Sequence, residues 1–154
     1  MPHKEFLGCG RALALGPNVK GALLGKALQY APDRDFDTLH IYLEFALDLK
    51  RRSLRGLCRT TISPFKDKLK TLEFDAIALR VKSVLVDGRK AKFVMRDDKL
   101  RIIAPRALEP GNEHEVVVHY SAVEPRSGLH FVRAPEQVWS QSQPEDARYW
   151  FPCH

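Results

Sequence analysis

The stretch LHIYLEFALDLKRRSLRGLCRTTI, residues 39–62, decides the fold. Leu39, Ile41, Leu43, Phe45, Leu47 and Leu49 occupy every second position, with His40, Tyr42, Glu44, Ala46 and Asp48 between them. A period of two sends alternate side chains to opposite faces of an extended chain, so this pattern predicts a long, half-buried strand. Ser53–Ile62 continues with β-branched and charged residues and pairs back on it. Lys50-Arg51-Arg52 is polar enough to make the turn between them.

The same rhythm runs outward along the chain. Leu69–Asp75 reads as a short strand, and Ile77–Val86 as another, rich in Val and Leu. Asp87-Gly88 is a strong hairpin signal, because a type I′ turn needs positive φ at both central residues. Ala91, Phe93 and Met95 then alternate with Lys90, Lys92, Val94 and Arg96, and Asp97-Asp98 turns the chain into Leu100–Ile103. Glu109-Pro110-Gly111 is a loop, after which His114, Val116, Val118 and Tyr120 line one face of a further strand. Turns at roughly ten-residue intervals, with no βαβ alternation and no repeat, predict an all-β domain: a β-sandwich or curved antiparallel sheets.

The strand pattern begins at residue 38, so residues 38–154 form the expected β-domain and residues 1–37 an irregular lead segment. Gly8, Gly10, Gly16, Gly21 and Gly25 punctuate that lead, which has room for one weak helical turn around Lys20–Leu28 before the loop Ala31–Asp37. Arg11, Pro17 and Lys20 interrupt its apolar residues, so it does not read as a signal peptide. No apolar run approaches the roughly 18 residues that a membrane helix needs. The three cysteines, Cys9, Cys58 and Cys153, are an odd number and lack zinc-knuckle spacing, as expected of reduced thiols in a cytoplasmic protein.

Lys plus Arg number 25 against 19 acids, a formal charge of +6. The basic residues are scattered and interleaved with acids, whereas a nucleic-acid footprint is a concentrated patch. Neither nucleic acid nor a membrane is an expected partner.

Complete catalytic signatures are absent from the sequence. HEVVVH, His114–His119, comes close to the zinc motif H-E-x-x-H but is one residue too long. Five apart on a helix, the two imidazoles would diverge by roughly 140°. On a strand, which three consecutive valines favour, odd spacing puts them on opposite faces. No G-x-S-x-G, P-loop or G-x-G-x-x-G occurs, so neither catalytic nor metal-ligating residues are assigned.

The densest chemistry lies in WSQSQPEDARYWFPCH, residues 139–154. Gln141 and Gln143, at i and i+2, point to the same side of an extended segment and offer uncharged donors and acceptors. Pro144 ends the ladder, and a short helical turn follows, with Glu145 and Asp146 at its positive end. Pro152 stops that turn, and Tyr149, Trp150 and Phe151 are too apolar to be left in water. Spacing alone favours a plainer reading, a polar edge strand plus an aromatic turn that closes the sandwich.

SQSQPEDARYWFPC resembles the hallmark near the end of the first domain of the aminopeptidase N and leukotriene hydrolase family of zinc aminopeptidases. That pattern runs roughly T-Q-x-[EQ]-x-x-x-A-R-x-x-[FL]-P-C-x-D, and Gln141, Gln143, Ala147, Arg148, Phe151, Pro152 and Cys153 match it. SGLHFV, Ser127–Val132, is similar to the family's G-L-Y segment, with His130 where Tyr is usual. The long strand, the VDGRKAKF hairpin and LEPGNEHEVVVHYSA follow the family's first-domain order, so the resemblance covers about Asp37 to His154.

The resemblance implies a saddle-like β-domain that packs on a following catalytic domain, which carries the zinc and the motifs missing here. By itself the β-domain is then inactive and binds no cofactor. It implies that Gln143, and with it Gln141, binds the free α-amine of a peptide substrate. Many family members carry Glu at the position of Gln143. It also implies that part of the Tyr149–Phe151 turn stands exposed where the catalytic domain would cover it. The alternative is a non-catalytic scaffold or interaction module built on the same β-domain.

Overall fold

A computed structural model describes residues 34–154. The lead segment's helical turn and Cys9 lie outside the described residues. Among the described residues there are ten strands and one 3₁₀ turn. They are β1 (Phe36–Asp48), β2 (Ser53–Pro64), β3 (Leu69–Asp75), β4 (Arg80–Val86), β5 (Arg89–Lys90), β6 (Lys92–Arg96), β7 (Lys99–Leu108), β8 (His114–Val123), β9 (Leu129–Arg133) and β10 (Glu136–Ser140), with the turn at Asp146–Tyr149.

The strands form a five-stranded sheet ordered β1-β2-β8-β4-β5, a three-stranded sheet ordered β3-β7-β6, and a β9–β10 hairpin. All the pairings are antiparallel. The expected all-β class therefore holds, as an open sandwich of antiparallel sheets. Among the described residues no helix is long and apolar enough to cross a membrane.

The core lies between the two larger sheets. Leu54, Cys58, Ile62, Val84, Val86, Val116, Val118 and Tyr120 come from one side; Leu72, Phe74, Leu100, Ile102 and Leu108 come from the other. The alternation of these residues along each strand is what the sequence rhythm encodes. The turns behave as their residues dictate: φ is 49° and 72° at Asp87-Gly88, and 52° and 60° at Asp97-Asp98.

Three details differ from the sequence expectation. First, β4 begins at Arg80, not Ile77. Ala78 takes φ 57°, and the Ile77 N–H donates to the Arg148 carbonyl at 2.8 Å instead of joining a ladder. Second, the strand read through Ala91 splits there. Arg89–Lys90 finishes a hairpin in the five-stranded sheet, and Lys92–Arg96 crosses to pair with β7 in the other.

Third, β1 is less buried than its pattern suggests. Phe36 is fully buried and Leu43 partly, but Leu39 is 48% exposed, and Ile41, Phe45 and Leu47 are exposed as well. Among the described residues β1 is the outermost strand, with a partner only on its β2 side. Its apolar stripe shares a face with Cys58 and Leu54, through the pairs Leu43↔Cys58 and Leu47↔Leu54. That face extends beyond the area that the narrower three-stranded sheet covers.

Candidate functional site

The segment carrying Gln141 and Gln143 is held by contacts distant in sequence. The β9–β10 ladder ends at the pair Ser140↔Leu129, so both glutamines follow the strand rather than lying on its face. The first is fixed by its backbone, whose N–H donates to the Gly128 carbonyl at 2.9 Å. Two residues later the Gln143–Pro144 peptide is cis. Both glutamines are exposed.

The chain then turns tightly across Gly128. The Asp146 N–H donates to the Ser142 carbonyl at 3.0 Å, the Ser127 hydroxyl to the Asp146 carboxylate at 2.7 Å, and the Trp150 indole N–H to the Ser142 hydroxyl at 3.3 Å. Gly128 has φ +79°, and a Cβ there would lie 2.2 Å from the Asp146 carbonyl oxygen and 2.6 Å from the Trp150 ring. Only glycine meets both conditions, the positive φ and the missing side chain. The glycine of the SGLHFV stretch therefore exists to let the closing segment lie against it.

Beyond the turn, the chain enters the core. Trp150 is 7% exposed and Phe151 9%, with their rings edge-on at 4.7 Å, and Pro152 is fully buried. Tyr149 is half-buried. The expected exposure of this aromatic turn is thus overturned for Trp150 and Phe151, because the domain's own residues cover them. Phe45 of β1 meets Trp150 edge-on at 5.8 Å.

Asp75 fastens the end of the segment. Its N–H donates to the Cys153 carbonyl at 2.7 Å, and the Cys153 N–H returns to the Asp75 carbonyl at 3.1 Å. Its carboxylate pairs with Lys99 and lies 3.9 Å from Arg148, which also pairs with Glu145. The hydrogen bond to Asp75 raises the Lys99 pKa and keeps its ammonium charged. Arg148 of the matched motif therefore has a structural task, in a short electrostatic chain with Asp75 and Lys99. Sequence reading missed Asp75 and the role of Gly128 beneath the closing segment, since neither role carries a local signal.

The two described thiols sit in the same corner. The Cys58 Sγ lies 3.6 Å from the Pro152 carbonyl oxygen and 3.6 Å from the Thr60 hydroxyl, and both cysteines are free. Burial raises the Cys58 pKa and, with the Asp75 charge adding to it, pushes Cys153 from 9.0 up to about 12. Both thiols stay protonated at neutral pH, which suits packing and not nucleophilic or metal chemistry. His130 and Trp139 stack across the β9–β10 hairpin, with centroids 4.1 Å apart.

The described residues contain no group of three or more His, Cys, Asp or Glu placed to hold a metal ion. His114 pairs with Ile62 on the core face, whereas His119 pairs with Leu57 on the opposite face. The two imidazoles are on opposite sides of β8, and zinc does not fit them.

By sequence and fold the chain matches part of the N-terminal domain of the M1 aminopeptidase and leukotriene A4 hydrolase family. It is 24% identical over 151 residues to leucine aminopeptidase 2 of Candida glabrata, covering 85% of this chain and 23% of that protein. The M1 zinc metallopeptidase of Deinococcus radiodurans superposes with TM-score 0.66 and 21% identity, over 78% of this chain and 29% of that one. Yeast leukotriene A4 hydrolase in complex with bestatin gives 0.67 and 20%, over 90% and 24%. The chain thus spans about a quarter of the length of these relatives. No protein-family model matches it.

Proposed function

We propose that this chain is the N-terminal domain of a zinc-dependent aminopeptidase, packing on a catalytic domain and presenting Gln143 and Gln141 to the free α-amine of a peptide. The observation that carries this reading is the contrast within the closing segment. Its anchors, Trp150, Phe151 and Pro152, are buried, while the two glutamines remain exposed on a backbone fixed at Gly128 and Asp75. Exposed polar groups on a rigid support suit recognition, since little order is lost when they bind.

The chemistry matches an amine. An ammonium brings three donors, and each glutamine offers a carbonyl oxygen that accepts one of them. An amide accepts more weakly than a carboxylate, so further acceptors must come from the catalytic domain. The zinc, supplied by that domain, would activate the water that attacks the peptide carbonyl. The free thiols of Cys58 and Cys153 support a cytoplasmic location.

The test uses the whole protein that carries this domain and a chromogenic amino-acid amide. Gln143→Ala should raise KM for substrates with a free amine by about tenfold, at an unchanged melting temperature. Gln143→Glu should tighten binding of amine-bearing inhibitors by adding a charge. An unchanged KM in the alanine variant, or a collapse of its melting temperature, would make Gln143 a structural residue and overturn the assignment.

A further inference from the structure

The outer face of the five-stranded sheet carries a concavity of about 610 Å³. Its lining includes Arg55, Arg80, Lys82, His119, Ser121 and Glu44. Scattered in sequence, the basic residues are brought together by strand register. Arg55 of β2 pairs with Ser121 of β8, and Ser121 pairs in turn with Arg80 of β4. Paired residues share a face, so one row across three strands reads Arg, Ser, Arg. In the next row His119 is the partner of both Leu57 and Ser83. The register shift between Val81 and Ser83 leaves Lys82 in a bulge, a device that re-aims a side chain, and Lys82 lines the same concavity.

These cations are uncompensated. Among the described residues Arg55, Arg80 and Lys82 make no ion pair, whereas neighbouring Arg52 and Arg59 are paired with Glu124 and Glu115. Glu44, the one acid in the lining, stands on β1 opposite Leu57 and accepts from the Tyr42 hydroxyl at 3.5 Å. Strands two apart in a sheet are separated by about 10 Å, so Arg55 and Arg80 stand on either side of Ser121 in that row. Two planar forks and a hydroxyl donor suit a tetrahedral oxyanion, which accepts from several directions at once.

We infer that this row is a binding site for a phosphate dianion, free or carried as a monoester. Arg55 and Arg80 clamp its oxygens, Ser121 donates between them, and Lys82 and His119 close one side.

Calorimetric titration of the 154-residue chain with inorganic phosphate, and separately with O-phosphoserine, tests this at constant ionic strength with chloride as the control. Saturable one-to-one binding is expected, weakened by at least about tenfold in Arg55→Gln and in Arg80→Gln. Both substitutions fall at exposed positions, and circular dichroism checks that the fold is intact. Arg106→Gln, an exposed arginine on β7, should leave binding unchanged. Tighter binding of O-phosphoserine assigns the monoester, and tighter binding of phosphate the free ion. Binding no greater than in chloride overturns the site, as does equal weakening by Arg106→Gln, which would reduce it to an effect of net charge.

Discussion

Gly128 shows how a single residue fixes the candidate site. Gly128→Ala forces a side chain into the Asp146 carbonyl at a backbone angle that L-residues rarely adopt. It should destabilise the domain by about 3 kcal/mol, read from urea unfolding. Gly88 also has positive φ, but open space surrounds it, so Gly88→Ala should cost only about 1 kcal/mol. The thiols give a second expectation. Unfolded, Cys153 ionises near its ordinary value of 9.0, but in the fold it holds its proton to about 12. Its contribution to stability is therefore whole below pH 9 and is lost as the pH rises from there towards 12. Cys58 and Tyr120, both raised by burial, act in the same direction. The melting temperature should hold level up to about pH 9 and then fall, and Cys153→Ser should reduce that fall. Residues such as Asp87-Gly88 announced their conformation in the sequence because turn geometry is local. Gly128 did not, because its reason lies 18 residues further on, at Asp146.

At the scale of elements, the periodic strands were legible and their environments were not. β2, β3 and β8 bury the faces that their alternation predicts. β1 carries the clearest alternation of all, yet most of its apolar side chains stay in contact with solvent. Periodicity reports which residues share a face; only the width of the opposing sheet reports whether that face is covered. β1 is thus a long outer strand with an exposed apolar stripe, free of lysine, arginine and proline between Phe36 and Asp48, and such edges pair with other chains. Ile41→Lys should lower the heat-induced light scattering of concentrated solutions while changing stability by no more than about 0.5 kcal/mol. The closing segment behaves in the opposite way. Trp150→Ala should cost about 3–5 kcal/mol, measured by denaturant unfolding, because it empties a core position. The basic row of Arg55, Ser121 and Arg80 was hidden in the sequence for a related reason: 25 residues separate the two arginines along the chain, and register alone aligns them.

For the whole molecule, the hairpin rhythm carried the all-β class, and the closing motif, with SGLHFV and the strand order beside it, carried the likeness to the zinc aminopeptidases. The supports of that motif, at Asp75, Ile77 and Gly128, came only from the folded chain. They also bear on the order in which the protein can be made. Synthesis delivers the strands of both sheets before the Trp150–Phe151–Pro152 plug, yet the Cys153 backbone bonds to Asp75, emerged long before. Until that segment emerges, the nascent domain has an unsealed core and an unpaired Asp75 backbone. Compact structure cannot be completed until residue 153 has cleared the exit tunnel, and until then the growing chain is open to chaperones and to premature association.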